Sequence, residues 1–214
     1  MSTLKVQNIF LRFGWLIITA FSVFLFSITT LYFYYYNDAS FNFLAKKQDV
    51  VFNPIWRTAF YIHITGGMLA LLTGPFQFIK KLRNKNLQLH RTLGKIYLGA
   101  ILFLAGPSGL LMAFYAEGGT IAVVGFAIMA VLWLITTYMA YESIRKKNIE
   151  AHKAWMVRSF ALTFAAVTLR LYVPIASGYF HVAPFYVEAS SAWVSWLPNL
   201  LIAELLLLII RKKL

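Results

Sequence analysis

Residues 120–147 read TIAVVGFAIMAVLWLITTYMAYESIRKK, and this stretch decides what kind of object the chain is. Before Arg145 it carries a single charge, that of Glu142. A helix rises about 1.5 Å per residue, so about 20 mostly apolar residues cross the hydrocarbon core of a bilayer. Arg145-Lys146-Lys147 then end the run, as basic residues do at the cytoplasmic end of a membrane helix. Working outward, runs of the same character lie at 13–36, 57–79, 93–114, 157–178 and 192–210 beside the one at 120–143. The first is too long for the apolar core of a secretory signal, and Tyr34-Tyr35-Tyr36-Asn37 follow it where small residues would mark a cleavage site. It reads as a retained helix. The fold expected is all-α: a polytopic integral membrane bundle of six transmembrane helices, forming one domain over residues 1–214.

Composition agrees. The chain has 214 residues, 60% hydrophobic and only 13% charged, with no cysteine. A soluble domain is nearer half apolar and a quarter charged, so these residues could not cover a water-soluble core with polar surface. Without cysteine there is no disulfide, thiolate metal site or thiol nucleophile. The formal charge of +13 needs a location before it needs a partner.

Sixteen of the twenty basic residues fall on one side of the expected spans. They are Lys5 and Arg12, the group from Lys80 to Lys95, the group from Arg145 to Arg158, and Arg211 to Lys213. Lys46, Lys47 and Arg57 lie on the other side, with Asp38, Asp49, Glu117 and Glu188. Both termini are therefore expected in the cytoplasm, with the chain in the cytoplasmic (inner) membrane of a bacterium. The charge is a topology signal and a surface for anionic lipid headgroups, not a nucleic-acid footprint. Tyrosines and tryptophans, Trp56 and Trp196 among them, are expected to gather at the two interfaces.

Ionisable side chains inside a bilayer cost a few kcal/mol or more and call for a reason. Those within spans are His63, Arg170 and Glu204; His90, His152 and His181 lie at span ends. Gly67, Ala70 and Gly74 follow His63 on the same helical face. Such a stripe suits either a neighbouring helix or a flat cofactor ligated by His63. His90 and His152 open the third and fifth spans from the same side, so their imidazoles are expected at one depth. That pair reads either as ordinary interfacial histidines or as two axial ligands of one haem b iron, with Arg91, Lys95 or Arg158 near the propionates. His181, past the outer end of the fifth span, could join His63 as a second pair. Arg170 is expected to face the interior, pairing with Glu204 or holding an anion such as a propionate, a quinone or a carboxylate. Pro75, Pro107 and Pro174 each remove a helical N–H and are expected to kink or end their helices.

Some classes are excluded by what is missing. The chain has no phosphate-binding glycine loop, no serine elbow and no pair of similar halves with broken helices. A hydrolase, an ATP-driven machine or an inverted-repeat transporter is not expected.

Several of these residues belong to a recognisable pattern. It runs through His63, Gly66-Gly67, Gly74-Pro75-Phe76-Gln77, Leu89-His90-Arg91, Leu93-Gly94-Lys95 and Tyr97. It continues through Trp133 and from His152-Lys153-Ala154-Trp155-Met156 to Arg158-Ser159, ending at Thr168-Leu169-Arg170-Leu171-Tyr172-Val173-Pro174. From His63 to Pro174 the chain resembles a large bacterial family of predicted membrane proteins, a resemblance that implies membership and no particular reaction. It is more remotely similar to the two-haem b-type transmembrane cytochromes, which imply a four-helix core with a histidine pair near each face. The run at 120–143 departs from that plan because it contains no histidine. The function expected is a haem b protein that moves electrons, with a quinone or another redox carrier as partner. The other readings are a haem-free protein binding or moving a small anion or lipid around Arg170 and Glu204, and an assembly or scaffold factor.

Overall fold

A computed structural model describes residues 16, 19–30, 44–45 and 47–211, and among them there are helices and no strand. In chain order the α-helices are α1 (Thr19–Thr30), α2 (Pro54–Thr73), α3 (Lys80–Lys85), α4 (Leu87–Gly99), α5 (Gly106–Ala113), α6 (Gly119–Arg145), α7 (Ile149–Thr163), α8 (Ala165–Pro174), α9 (Pro184–Val194) and α10 (Leu197–Arg211). Joined end to end they make five helices long and apolar enough to cross a membrane: Pro54–Phe78, Leu87–Ala113, Gly119–Arg145, Ile149–Tyr179 and Pro184–Ile209. Of the run at 13–36, Thr19–Thr30 is a short apolar helix and most of the rest lies outside the described residues. Both chain ends, and with them Lys5, Arg12, Lys212 and Lys213, lie outside them too.

Three of the long helices begin at an asparagine. Asn53 accepts from the Ile55 and Trp56 amides with Pro54 following, Asn86 accepts from Leu89 N, and Asn148 accepts from Ala151 N. Each satisfies amide groups that a helix start leaves without partners. The caps explain why the structure departs from boundaries drawn on apolarity. The third and fifth spans begin at Leu87 and Ile149, not at 93 and 157, so His90 and His152 sit on helix rather than before it.

The prolines shape the spans as expected. Pro75 opens a 3-10 turn, Pro75–Phe78, that closes the second span. Pro107 follows a π-wound segment, Ala100–Ala105, and Pro174 precedes another, Ile175–Tyr179. Without an N–H, Pro107 leaves the carbonyl one turn earlier unpaired, and widening the helix redistributes the carbonyls around it.

Helices α2, α4–α5, α6 and α7 form a four-helix core in which α4 packs on α2 and α6, and α7 packs on α6 and α2. The α4 and α7 helices therefore oppose each other across a diagonal. Outside this core, α9 lies on α6 and α8, and α10 on α7. Leu25 of α1 packs with Leu71 and Val167. The interior is centred on Tyr97, Ile101, Trp133, Phe160, Leu162 and Trp196. Outward faces stay apolar and exposed, as with Ile121, Val124, Ile128, Val131 and Ile135 on α6. That is the inverse of a soluble bundle and suits a lipid surroundings.

Two tryptophans expected at the interface are buried, Trp196 in the central core and Trp56 at one end of the bundle. Trp196 is buried beside Trp193, and Trp56 is buried and stacked on Phe60 at 5.6 Å. Trp56 packs with Leu44 and Val51, so the segment preceding α2 folds in as a plug over one end of the bundle. Lys47 pins that plug, donating to Tyr115 O at 2.8 Å and pairing with Glu117 at 3.0 Å.

The turn into α6 needs glycine. Gly118 has φ 95 and Gly119 φ 69, and a Cβ on Gly118 would lie 2.5 Å from Ala189 N. A Cβ on Gly119 would meet nothing nearer than a ring carbon of Phe185 at 3.7 Å. Both substitutions by alanine carry left-handed strain of about 1–2 kcal/mol, and Gly118→Ala adds a backbone collision. Gly118→Ala should therefore lower the midpoint of an SDS-unfolding titration clearly further than Gly119→Ala. Equal midpoints would mean that α9 yields without cost.

Candidate functional site

The site begins with a contact across the core diagonal. Tyr97 of α4 is fully buried, and its hydroxyl meets Ser159 Oγ at 2.9 Å and Thr163 Oγ1 at 2.8 Å on α7. Trp133 Nε1 of α6 donates to Thr163 Oγ1 at 3.0 Å, and Thr137 Oγ1 lies 2.7 Å from Ser159 Oγ. Five side chains from three helices thus satisfy one another where no water reaches, as polar groups in a membrane interior must. Sequence reasoning met Tyr97, Trp133 and Ser159 as parts of a pattern and missed the network. A signal was present: Trp133 and Thr137, and Ser159 and Thr163, are spaced four apart and so share a helix face.

His90 and His152 each precede a member of this contact, Tyr97 and Ser159, by seven residues. Seven residues are about two helical turns, or about 10 Å, and return nearly to the same face. Because α4 and α7 leave the same end of the bundle, the two histidines lie at that end, which among the described residues is rich in lysine and arginine. His90 lies within electrostatic reach of His152, Arg83 and Arg91. His152 Nδ1 lies 2.8 Å from Ala140 O. A carbonyl only accepts, so the ring donates through Nδ1 and keeps the Nε2 lone pair for another partner. His90 Nδ1 is buried without a hydrogen bond, and so is Gln77 Nε2. Gln77 lies over α4 one turn above His90, where a Cβ on Gly94 would stand 3.0 Å from its Oε1.

His63 is held in the same manner at the opposite end. Its Nδ1 donates to Ala105 O at 2.8 Å, at the end of the π-wound segment. The ring rests on Gly109, where a Cβ would come within 2.8 Å of it. The expected glycine stripe divides: Gly74 packs on the Phe160 ring and Ala70 is buried, while Gly67 faces open space. Helix packing accounts for two of the three positions.

The cationic residues are distributed differently from expectation. Arg158 forms a two-point pair with Glu204, Nε to Oε1 at 2.5 Å and Nη2 to Oε2 at 2.8 Å, and lies over the Trp155 ring at 4.6 Å. It is turned toward α10, away from the histidine pair. Glu204 therefore pairs with Arg158, not with Arg170. The reason is register: Arg158 and Glu204 come level on adjacent α7 and α10, while Arg170 stands twelve residues further along. Arg170 is exposed on α8, donates to Ala166 O at 3.1 Å, and has His63 within electrostatic reach. Arg91 is exposed near His90. His181 is exposed beyond the second π-wound segment with φ 52. Among the described residues no three His, Asp or Glu side chains converge, so the histidines offer at most pairs.

Comparison with known proteins gives one family. A family model described as "Predicted membrane protein (DUF2306)" matches residues 60–207, the segment that holds every histidine together with Arg170 and Glu204. Among the curated proteins and the solved structures none matches the chain, so the likeness to two-haem cytochromes has no structural counterpart there.

Proposed function

The chain belongs to the DUF2306 family of predicted membrane proteins, and from that premise we propose that it holds one haem b between His90 and His152 and passes electrons within the membrane. What supports this reading is that His90 and His152 stand on α4 and α7 at one end of the bundle, within electrostatic reach of each other. Ala140 O fixes the ring of His152 so that Nε2 is the available nitrogen, which is how ligating histidines are usually held. His90 brings a buried ring nitrogen that lacks a partner. His90 and His152 would hold the haem b, which would supply a one-electron couple there. Arg91 and Arg83 stand near His90 for the propionates; Arg158, engaged by Glu204, does not.

The outer histidines do not make an equivalent site. His63 rests on Gly109, and α6, diagonal to it, offers no histidine. The proposal is therefore for one haem at the basic end. An anion site built on Arg170 with Glu204 has lost Glu204 to Arg158. The distribution of basic residues supports the bacterial cytoplasmic membrane with both termini inside. A membrane quinone is the redox partner that this setting favours.

Absorption and metal analysis test the proposal. Protein purified from cells with ample haem should show a Soret band and about one iron per chain. Both His90→Ala and His152→Ala should abolish the band, while His63→Ala and His181→Ala should keep it. A colourless, iron-free protein overturns the reading, and a Soret band indifferent to His90 and His152 moves the haem elsewhere.

A further inference from the structure

At the basic end the chain leaves its second span and turns into α3, and a groove of about 330 Å³ opens there. Its walls are Phe76, Ile79 and Leu82, and its rim is Lys81 and Lys85. The order of these residues sets their height. Phe76 belongs to the last turn of the Pro54–Phe78 span, and Lys81 and Lys85 lie on the helix just beyond it. Spaced four apart, the two lysines share one face of α3, with Cβ atoms about 6 Å from each other. Both are exposed, and neither has an acidic partner among the described residues. An apolar cleft at the end of a span, bordered by two exposed lysines without acidic partners among the described residues, has the polarity profile of one kind of molecule.

We propose that this groove is a binding site for an anionic glycerophospholipid, with the upper acyl chain against Phe76, Ile79 and Leu82 and the phosphate between Lys81 and Lys85. Charge complementarity selects the headgroup, because a zwitterionic lipid brings a second cation to two lysines. The groove selects a lipid over free phosphate, because an inorganic ion covers none of the three apolar side chains. This site is separate from the histidine pair and stands whether or not haem is bound.

Spin-labelled phosphatidylglycerol, with the full chain reconstituted in phosphatidylcholine bilayers, tests the site by the motionally restricted fraction in electron paramagnetic resonance. A lysine at the membrane surface contributes about fivefold in association with anionic lipid. Lys81→Gln with Lys85→Gln should therefore lower the relative association constant about twentyfold or more at the restricted site, and Lys81→Arg with Lys85→Arg should retain it. Lys146→Gln with Lys147→Gln removes the same charge from a loop without the groove, where Lys146 already pairs with Glu142 at 2.7 Å, and should lower the constant far less. Leu82→Asn should weaken binding while keeping both lysines. An equal loss from the Lys146 and Lys147 pair, or no loss from the Lys81 and Lys85 pair, overturns the site. So does displacement of the label by millimolar inorganic phosphate at constant ionic strength.

Discussion

Tyr97→Ala is expected to cost about 4 kcal/mol of stability, while Tyr97→Phe costs only about 1 kcal/mol. The two numbers separate volume from hydrogen bonding at the centre of the core. Alanine removes a fully buried ring packed among Ile101, Trp133 and Phe160 and leaves a cavity that this interior cannot easily close. Phenylalanine keeps the ring and removes only the hydroxyl. Ser159 then still has Thr137, and Thr163 still has Trp133 and the Ser159 carbonyl. Hydrogen bonds between membrane helices contribute about 0.6 kcal/mol each on average, so losing two gives the smaller figure. SDS-unfolding equilibria in mixed micelles would measure both. A phenylalanine variant as unstable as the alanine variant would make the hydroxyl network, not the packing, the main tie between α4 and α7.

Arg158→Ala is expected to destabilise the protein by about 3 kcal/mol, and Glu204→Ala by a similar amount. Each leaves one charge in a membrane-spanning helix without its partner. The two-point geometry and the Trp155 ring beneath the guanidinium place the pair well. Side-chain exposures of 24% and 41% put it at the edge of the bundle, on two helices long and apolar enough to cross a membrane. The informative comparison is the double variant, Arg158→Leu with Glu204→Leu. Breaking a desolvated pair is costly, whereas replacing both charges by apolar groups is often close to neutral. The double variant should therefore be more stable than either single alanine variant in the same SDS titration. Additive losses would mean that each charge has a separate partner.

How much was legible follows from the length scale of each signal. Apolar runs of about 20 residues announce spans because the bilayer demands them, and five of the expected runs correspond to long apolar helices. Helix starts were less legible, because Asn86 and Asn148 begin α4 and α7 several residues before the apolar runs do. His90 and His152 lie within the first turns of α4 and α7, where their positions along the sequence put them. Pairing was not legible. Arg170 and Glu204 looked like the natural couple because both sit within spans, but partner choice depends on which residues of α7 and α10 come level. That register is set by how α10 packs on α7, which no local pattern records. The burial of Trp56 was hidden for the same reason, since it depends on Leu44 and Val51 folding back over the bundle end.

By itself, the sequence determined that this is a helical membrane protein with its basic residues concentrated at one end. Those properties follow from transfer free energies and electrostatics that act residue by residue, so composition and order suffice to express them. Only the tertiary structure decided which polar groups meet. It brought Tyr97, Trp133, Thr137, Ser159 and Thr163 into one network, gave Glu204 to Arg158, and tied the His152 ring to Ala140 O. A hydrogen bond or ion pair needs two partners within about 3 Å, and helices far apart in sequence reach that distance only after they have packed.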